Sequence, residues 1–230
     1  MEVAPVHVVV LAGGDPVEPW VADWLPTGAY VVAADSGLAQ ADTLGLRVDL
    51  VVGDLDSVDP DALEAAVAAG SSVERHPAAK DHTDLELAVL VAKRLGARRL
   101  TLVGGHGGRL DHALANVLAL AQLGFAGITI DAVIGRARVA VVHDEVVLDG
   151  DRGDLVSLLP AGGAVSGVRT SGLAFALDGE DLEPGTTRGV SNEMVATRAT
   201  VSVEAGVLLV VRPGGAGRLL EGGEVVPPGA

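Results

Sequence analysis

No cysteine occurs among the 230 residues, which excludes disulfides, thiolate nucleophiles and Cys-ligated zinc and fits a reducing compartment. Aromatic side chains are nearly as scarce: Trp20, Trp24, Tyr30, Phe125 and Phe175 are the full set. The core is therefore built from Val, Leu and Ala, and an aromatic that lines a ligand site has few candidates. No apolar run approaches the ~18 residues that a membrane span needs, because Asp or Gly interrupts every stretch. Met1 to Pro5 lacks the basic residues of a signal peptide, so Val8 to Leu11 reads as a first strand and the expected location is cytoplasmic.

Positive charge is also in short supply. Lys and Arg number 16 against 31 Asp and Glu, a net charge of −15. The deficit is spread evenly, with 18 acids and 10 bases in residues 1–143 and 13 and 6 in residues 144–230. An acidic surface of this kind repels polyphosphate, which argues against nucleic acid as a partner. A nucleotide would need a cation to bridge it, and Mg²⁺ is the natural candidate.

What is present is a change of texture at about residue 138. Before it, short β-branched runs alternate with Ala/Leu-rich stretches, the pattern of βα units on a parallel sheet. Strands are expected at His7 to Leu11, Tyr30 to Ala34, Leu50 to Val52, Ser72 to Arg75, Arg99 to Val103 and Ile128 to Ala132. Helices are expected at Asp61 to Ala69, Asp84 to Leu95 and Ala113 to Leu123. The continuous apolar character of the strands predicts cover on both faces. After residue 138, Val-rich runs separated by Gly, Asp and Pro predict a small antiparallel sandwich: Arg138 to Val142, Glu145 to Leu148, Leu155 to Leu159, Thr200 to Glu204 and Val207 to Arg212. The expected fold class is α/β, with an N-terminal doubly wound, mainly parallel, Rossmann-like domain (1–137) followed by a C-terminal all-β sandwich domain (138–230). A Gly-rich tail follows Gly214.

In open α/β sheets ligands sit beyond the carboxyl ends of the strands, so the residues after each strand matter most. Asp35-Ser36-Gly37 follows the second strand and Gly53-Asp54-Leu55-Asp56-Ser57 the third. Lys80-Asp81-His82-Thr83-Asp84-Leu85-Glu86 comes after the fourth, and Gly104-Gly105-His106-Gly107-Gly108-Arg109-Leu110-Asp111-His112 after the fifth. Asp54 and Asp56, two apart, point to one side of an extended segment and so present two oxygens to one hard cation. The competing reading is a solvated turn in which one Asp caps the helix near Asp61. Asp35 at the neighbouring strand end favours the metal, since three crowded carboxylates repel one another without one. Thr83 with Glu86 forms a helix capping box, and the helix end it makes is also where phosphate is best received, with Asp84 in the first turn. Lys80 is placed to reach a phosphate oxygen. The glycines from Gly104 to Gly108 admit an anion to their amides, and Arg109 either forks onto phosphate or pairs with Asp111. His112 and Asn116 share a helical face, where they address a nucleotide or cap the loop. No nucleophile elbow appears, which disfavours covalent serine catalysis. His7, His76 and His143 receive no role.

The four motifs in this order resemble the catalytic domain of thiamine pyrophosphokinases. Thr170 to Leu177 and Gly189-Val190-Ser191-Asn192-Glu193 resemble that family's thiamine-binding β-domain, so the similarity covers roughly residues 7 to 212. The resemblance implies transfer of pyrophosphate from Mg-ATP to the hydroxyl of thiamine, giving thiamine diphosphate and AMP. Mg²⁺ would sit on Asp54, Asp56, Asp84 and Asp35. Asp81 or Asp84 would take the hydroxyl proton, and Lys80 would steady phosphate charge. Asp35, Ser36, Gly37, Thr83, Gly105, Arg109, Asp111, His112 and Asn116 would seat the nucleotide. It further implies a homodimer, with each thiamine site between one subunit's catalytic domain and the partner's β-domain. An aromatic covers the vitamin there, by position Phe175, where the family usually has Trp or Tyr; Ala174 stands where it has Lys. Ser191 and Asn192 would bind the pyrimidine or else form a turn. The rival readings are a metal-dependent glycosyltransferase or phosphohydrolase that uses Asp-Leu-Asp, and a non-catalytic nucleotide or thiamine sensor.

Overall fold

The computed structural model describes residues 6–77, 82–123 and 127–214, so Lys80, Asp81, Phe125 and the tail beyond Gly214 lie outside the described residues. Strands β1 (Val6–Ala12), β2 (Tyr30–Ala34), β3 (Leu50–Gly53), β4 (Ser72–Arg75), β5 (Ala97–Gly104) and β6 (Thr129–Ile134) match the expected positions to within two residues at each end. Helices α2 (Pro60–Ala68), α3 (Asp84–Arg94) and α4 (Leu110–Leu123) do so to within three. Helix α1 (Ala39–Leu44) and 3-10 turns at Pro19–Trp24 and Asp35–Leu38 were not expected, being too short to show a helical period. The second half adds β7 (Ala137–Val142), β8 (Glu145–Asp149), β9 (Leu155–Pro160), β10 (Val165–Ser171), β11 (Asp178–Leu182), β12 (Asn192–Glu193), β13 (Arg198–Ser202) and β14 (Leu208–Arg212).

Strands β4-β3-β2-β1-β5-β6 lie side by side, all parallel. Alternate residues of β1 face opposite ways. Val8, Val10 and Ala12 pack into a core with α3 and with Leu120 and Ala121 of α4. Val9 and Leu11 pack with Val21, Ala41 and Leu44 on the other side. Strand β4 departs from the expected double cover: it is the edge of the sheet, and its Val73 is 36% exposed.

The sheet does not stop at β6. Ile134 pairs with Ala137 across a two-residue turn, in which Gly135 takes φ +61°, and so short a connection makes β7 the antiparallel neighbour of β6. Strands β14, β9 and β12 follow, giving one mixed sheet of ten strands. Four strands of the half expected to stand apart thus extend the first sheet, and Val139, Val141 and Leu209 share a core with Val8 and Leu100. Among the described residues, β11-β10-β13-β8 form the second, antiparallel sheet, packed over Ala140, Leu158 and Val210 of the first. The Gly135-Arg136 turn was the sequence signal for this continuity; it lies where the change of texture reads as a boundary.

Near this join Arg138, 1% exposed, lies against the ring of Trp24, which also meets Trp20 edge-on at 5.8 Å between centroids. Three of the five aromatics are thus structural, because Tyr30 packs on the first core.

On β1, the His7 ring meets Thr101 Oγ1 at 2.9 Å, and burial, helped by nearby Arg99, pushes its pKa down to about 4. Between pH 6.5 and 4 the unfolded chain takes up a proton here that the folded chain refuses, so stability falls through this window as pH is lowered. Thermal melts of wild type and His7→Gln across that range check it. The wild type loses stability relative to the variant as pH drops, and a constant difference between them contradicts the assignment.

Candidate functional site

In sequence the chain steps from β1 outward through β2, β3 and β4, then returns to the far side of β1 to form β5. The direction of winding thus reverses at β1, and a crevice lies at the carboxyl ends of these strands. A cleft of about 380 Å³ occupies it, walled by Gly13 and Gly14 after β1, Asp35 and Ser36 after β2, Thr83 and Asp84 at the start of α3, and Gly105, His106, Gly107 and Arg109 after β5.

Asp35, Asp54 and Asp56 each bring a carboxylate oxygen to within 4.8 Å of the others'. The way they converge differs from the expected strand alternation. Leu55 between the two aspartates has φ +63°, a left-handed conformation unusual for leucine, with its side chain buried in the core on the α1 side. A turn anchored by that leucine, with Asp56 N donating to Asp54 Oδ1 at 3.2 Å, brings the two acids together. Asp35 also has positive φ, at +48°, and is 8% exposed. Ser57 Oγ donates to its Oδ2, while its Oδ1 is buried without a hydrogen-bond partner.

Asp84 stands next to this trio. A methyl built on Gly53 would lie 3.0 Å from Asp84 Oδ1 and 3.1 Å from Asp35 Cβ, so only glycine lets both side chains close over the end of β3. The Asp54 carboxylate, more than any loss of water, pushes Asp56 above the usual carboxylate range, with Asp35 and Asp84 adding to it. The alternative capping role falls elsewhere: Asp59 is the N-cap of α2 and accepts from Asp61 N at 2.8 Å.

At α3 the capping box is present. Thr83 Oγ1 accepts from Glu86 N at 3.2 Å, and Glu86 Oε2 accepts from Thr83 N at 2.7 Å. Asp84 is thereby fixed in the first turn of a helix whose amino end faces the cleft. Across the cleft Arg109 forks onto Asp111, at 3.0 and 2.6 Å, and holds that carboxyl far below the usual range. Asn116 Nδ2 donates to Gly105 O at 3.1 Å and so braces the glycine loop, while exposed His112 lines the cleft. Ser36 also lines it, and Gly37 packs so closely on Leu11 O that no side chain fits there. The glycine loop after β1 is the part of the wall that reading for aspartates missed; Gly13-Gly14 directly after an apolar strand was its signal.

Phe175 is 67% exposed on the second sheet's side of the molecule. Asn192, 3% exposed, holds its backbone from both sides: Oδ1 accepts from Phe175 N at 3.0 Å and Nδ2 donates to Phe175 O at 2.7 Å. The amide of Asn192 thus presents Phe175. Ser191, with φ +58°, donates from its backbone N to Ser157 Oγ at 3.1 Å.

Comparison with known proteins addresses the same two regions. The model of the thiamin pyrophosphokinase catalytic domain matches residues 22–131, and that of the family's vitamin B1 binding domain matches 144–208. The thiamine pyrophosphokinase of Bacillus subtilis is 25% identical over 183 residues, 79% of this chain and 86% of that protein. A crystal structure of the Bacillus subtilis enzyme shares the fold with a TM-score of 0.80 at 24% identity, covering 90% of this chain and 98% of that one. A thiamin pyrophosphokinase structure from Geobacillus thermodenitrificans gives 0.75 at 28% identity, with 90% and 97% covered. With two models of one family matched in chain order over most of its length, and with acid-lined and glycine-lined walls where the catalytic model lies, the chain belongs to the thiamine pyrophosphokinase family.

Proposed function

We propose that this protein transfers the pyrophosphoryl group of Mg-ATP to the hydroxyl of thiamine, forming thiamine diphosphate and AMP. The observation that carries the proposal is the convergence of Asp35, Asp54 and Asp56 at the edge of a cleft that Asp35 and Asp84 line on one side and two glycine loops on the other.

The residues fit a hard divalent ion. Their donors are carboxylate oxygens, one of them the buried, unpartnered Asp35 Oδ1, and the raised pKa of Asp56 records a repulsion that a cation relieves. Mg²⁺ bound by these carboxylates supplies the positive charge that a chain of net charge −15 otherwise denies to polyphosphate. Ser57 orients Asp35, and the Leu55 turn orients Asp54 and Asp56. The glycine amides after β1 and β5 and the amino end of α3 receive phosphate oxygens, and Ser36, Gly37, Thr83, Gly105, Arg109, Asp111, His112 and Asn116 shape that side. The thiamine hydroxyl attacks the β-phosphorus, the bond to the α-phosphate oxygen breaks and AMP departs; Asp84 or Asp81 takes the hydroxyl proton. Chemistry of this kind rests on positioning and charge more than on a strong base.

Phe175, with Ser191 and Asn192 behind it, is the thiamine-binding face, carried by the chain beyond residue 137, while the residues before it carry the nucleotide cleft. A homodimer is the assembly we propose. Leu110, Leu114 and Leu118 form an exposed row on α4, which starts at the cleft, while Leu155, Phe175 and Val190 are exposed on the vitamin side. These apolar faces are where two acidic chains can meet.

Incubating the pure protein with Mg-ATP and thiamine, followed by chromatography, tests the function. AMP and thiamine diphosphate appear together and only when thiamine is present. ATP turnover without thiamine supports a phosphohydrolase, and binding without turnover supports a sensor.

A further inference from the structure

Behind the cleft lies a buried carboxamide that none of the chemistry above uses. Gln40, on α1, is 3% exposed. Its Oε1 accepts from Val17 N at 3.0 Å and its Nε2 donates to Asp15 O at 3.2 Å, contacts that reach back 23 and 25 residues to the segment after β1. Gly13 and Gly14 of that segment line the cleft, and the segment is itself tied to the adjoining glycine loop after β5: Gly105 N donates to Gly13 O at 3.0 Å, and Asp15 N donates to His106 O at 2.7 Å. Gln40 is the second residue of α1, which follows directly on the 3-10 turn that begins at Asp35. One side chain therefore joins the turn that carries an acidic ligand to the glycine loop after β1 and, through it, to the glycine loop after β5.

The clamp has a physical reason. Gly13 and Gly14 have no side chains with which to anchor their own backbone, and Gly14, at φ +131°, packs against His106 O too closely to allow a Cβ. Val17, which bonds Gln40, and Ala41 and Leu44, which share its helix, belong to an apolar core. An amide buried there loses its hydration and is offset by the two bonds it makes, so it specifies loop position where a leucine would give only bulk.

We propose that Gln40 is a positioning residue for the reaction, holding the glycine loop after β1, and through its bonds the glycine loop after β5, in the place that receives the nucleotide's phosphates. This rests on the reading of the cleft as the nucleotide site.

The test compares Gln40→Met, which keeps length and bulk but loses both bonds, with Leu44→Ala, which loosens the same helix and core and leaves the clamp intact. For each, the KM for Mg-ATP, the KM for thiamine, the melting temperature and the calorimetric Kd for α,β-methylene-ATP with Mg²⁺ are measured. Gln40→Met raises the KM for Mg-ATP and the analogue's Kd about tenfold, while the KM for thiamine stays within about twofold. Leu44→Ala lowers the melting temperature at least as much and leaves the analogue's Kd unchanged. A wild-type Kd in Gln40→Met, or equal weakening by Leu44→Ala, overturns the proposal. Should Gln40→Met fail to fold, Gln40→Leu, which likewise loses both bonds and adds no charge, takes its place in the comparison. A wild-type chain that binds no nucleotide overturns both this proposal and the reading of the cleft. One that binds nucleotide but forms no AMP overturns the transferase reading alone.

Discussion

Asp54→Asn lowers thiamine-dependent AMP formation by on the order of a thousandfold, as expected when a preorganised charge is removed from a phosphoryl-transfer site. Its effect on folding is small and of the opposite sign. The Asp54 charge is the largest cause of the raised pKa of Asp56, and its removal relieves repulsion in the metal-free chain. The variant therefore melts no lower than wild type without metal, whereas added Mg²⁺ and nucleotide, which raise the wild-type melting temperature, raise that of the variant much less. Near-normal activity in Asp54→Asn, or equal stabilisation of both proteins by Mg²⁺ and nucleotide, would remove the metal role.

Phe175→Ala raises the KM for thiamine by about ten- to a hundredfold, through lost stacking on the cationic thiazolium and lost apolar contact, and changes kcat little. The side chain is 67% exposed, so the substitution leaves the fold intact, and Asn192 still holds the backbone from both sides. Phe175→Trp moves the other way by a few-fold, because the indole face binds a cation more strongly than the phenyl. Steady-state kinetics with thiamine as the varied substrate decide the matter, and an unchanged KM in Phe175→Ala would place the vitamin elsewhere. The scarcity of aromatics sharpens this test. Trp20, Trp24 and Tyr30 are committed to packing, so among the described aromatics Phe175 alone is presented to solvent as a large face.

The parts of this molecule that could be read from sequence are those with a local cause. The parallel strands announce themselves as β-branched runs, α3 by its capping box, and the acidic trio by its place at strand ends. What was missed has a non-local cause. The continuation of the sheet through β7 depends on the two-residue turn at Gly135, and β14, β9 and β12 then join by pairings set far along the chain. Strand alternation gave the right neighbours for the wrong reason at Asp54 and Asp56: the left-handed Leu55, held by a buried side chain, brings the carboxylates together. Asn192 shows the same lesson in the second half. The resemblance gave it a contact to the pyrimidine or a place in a turn, and the fold adds a bracing role that residue type alone does not reveal, the buried amide holding the backbone of Phe175. Glycines are the most economical signal overlooked, since Gly13-Gly14 after β1 and Gly53 at the end of β3 mark where backbones and carboxylates approach too closely for any side chain.

The central claim is that Asp35, Asp54 and Asp56, with Asp84, hold one divalent ion together with the nucleotide's phosphates. Electron paramagnetic resonance of Mn²⁺ titrated into the protein with α,β-methylene-ATP tests it most directly. The account predicts one tightly held ion per chain, displaced by Mg²⁺ and lost in Asp54→Asn. Tight Mn²⁺ binding that survives this substitution undiminished would contradict it.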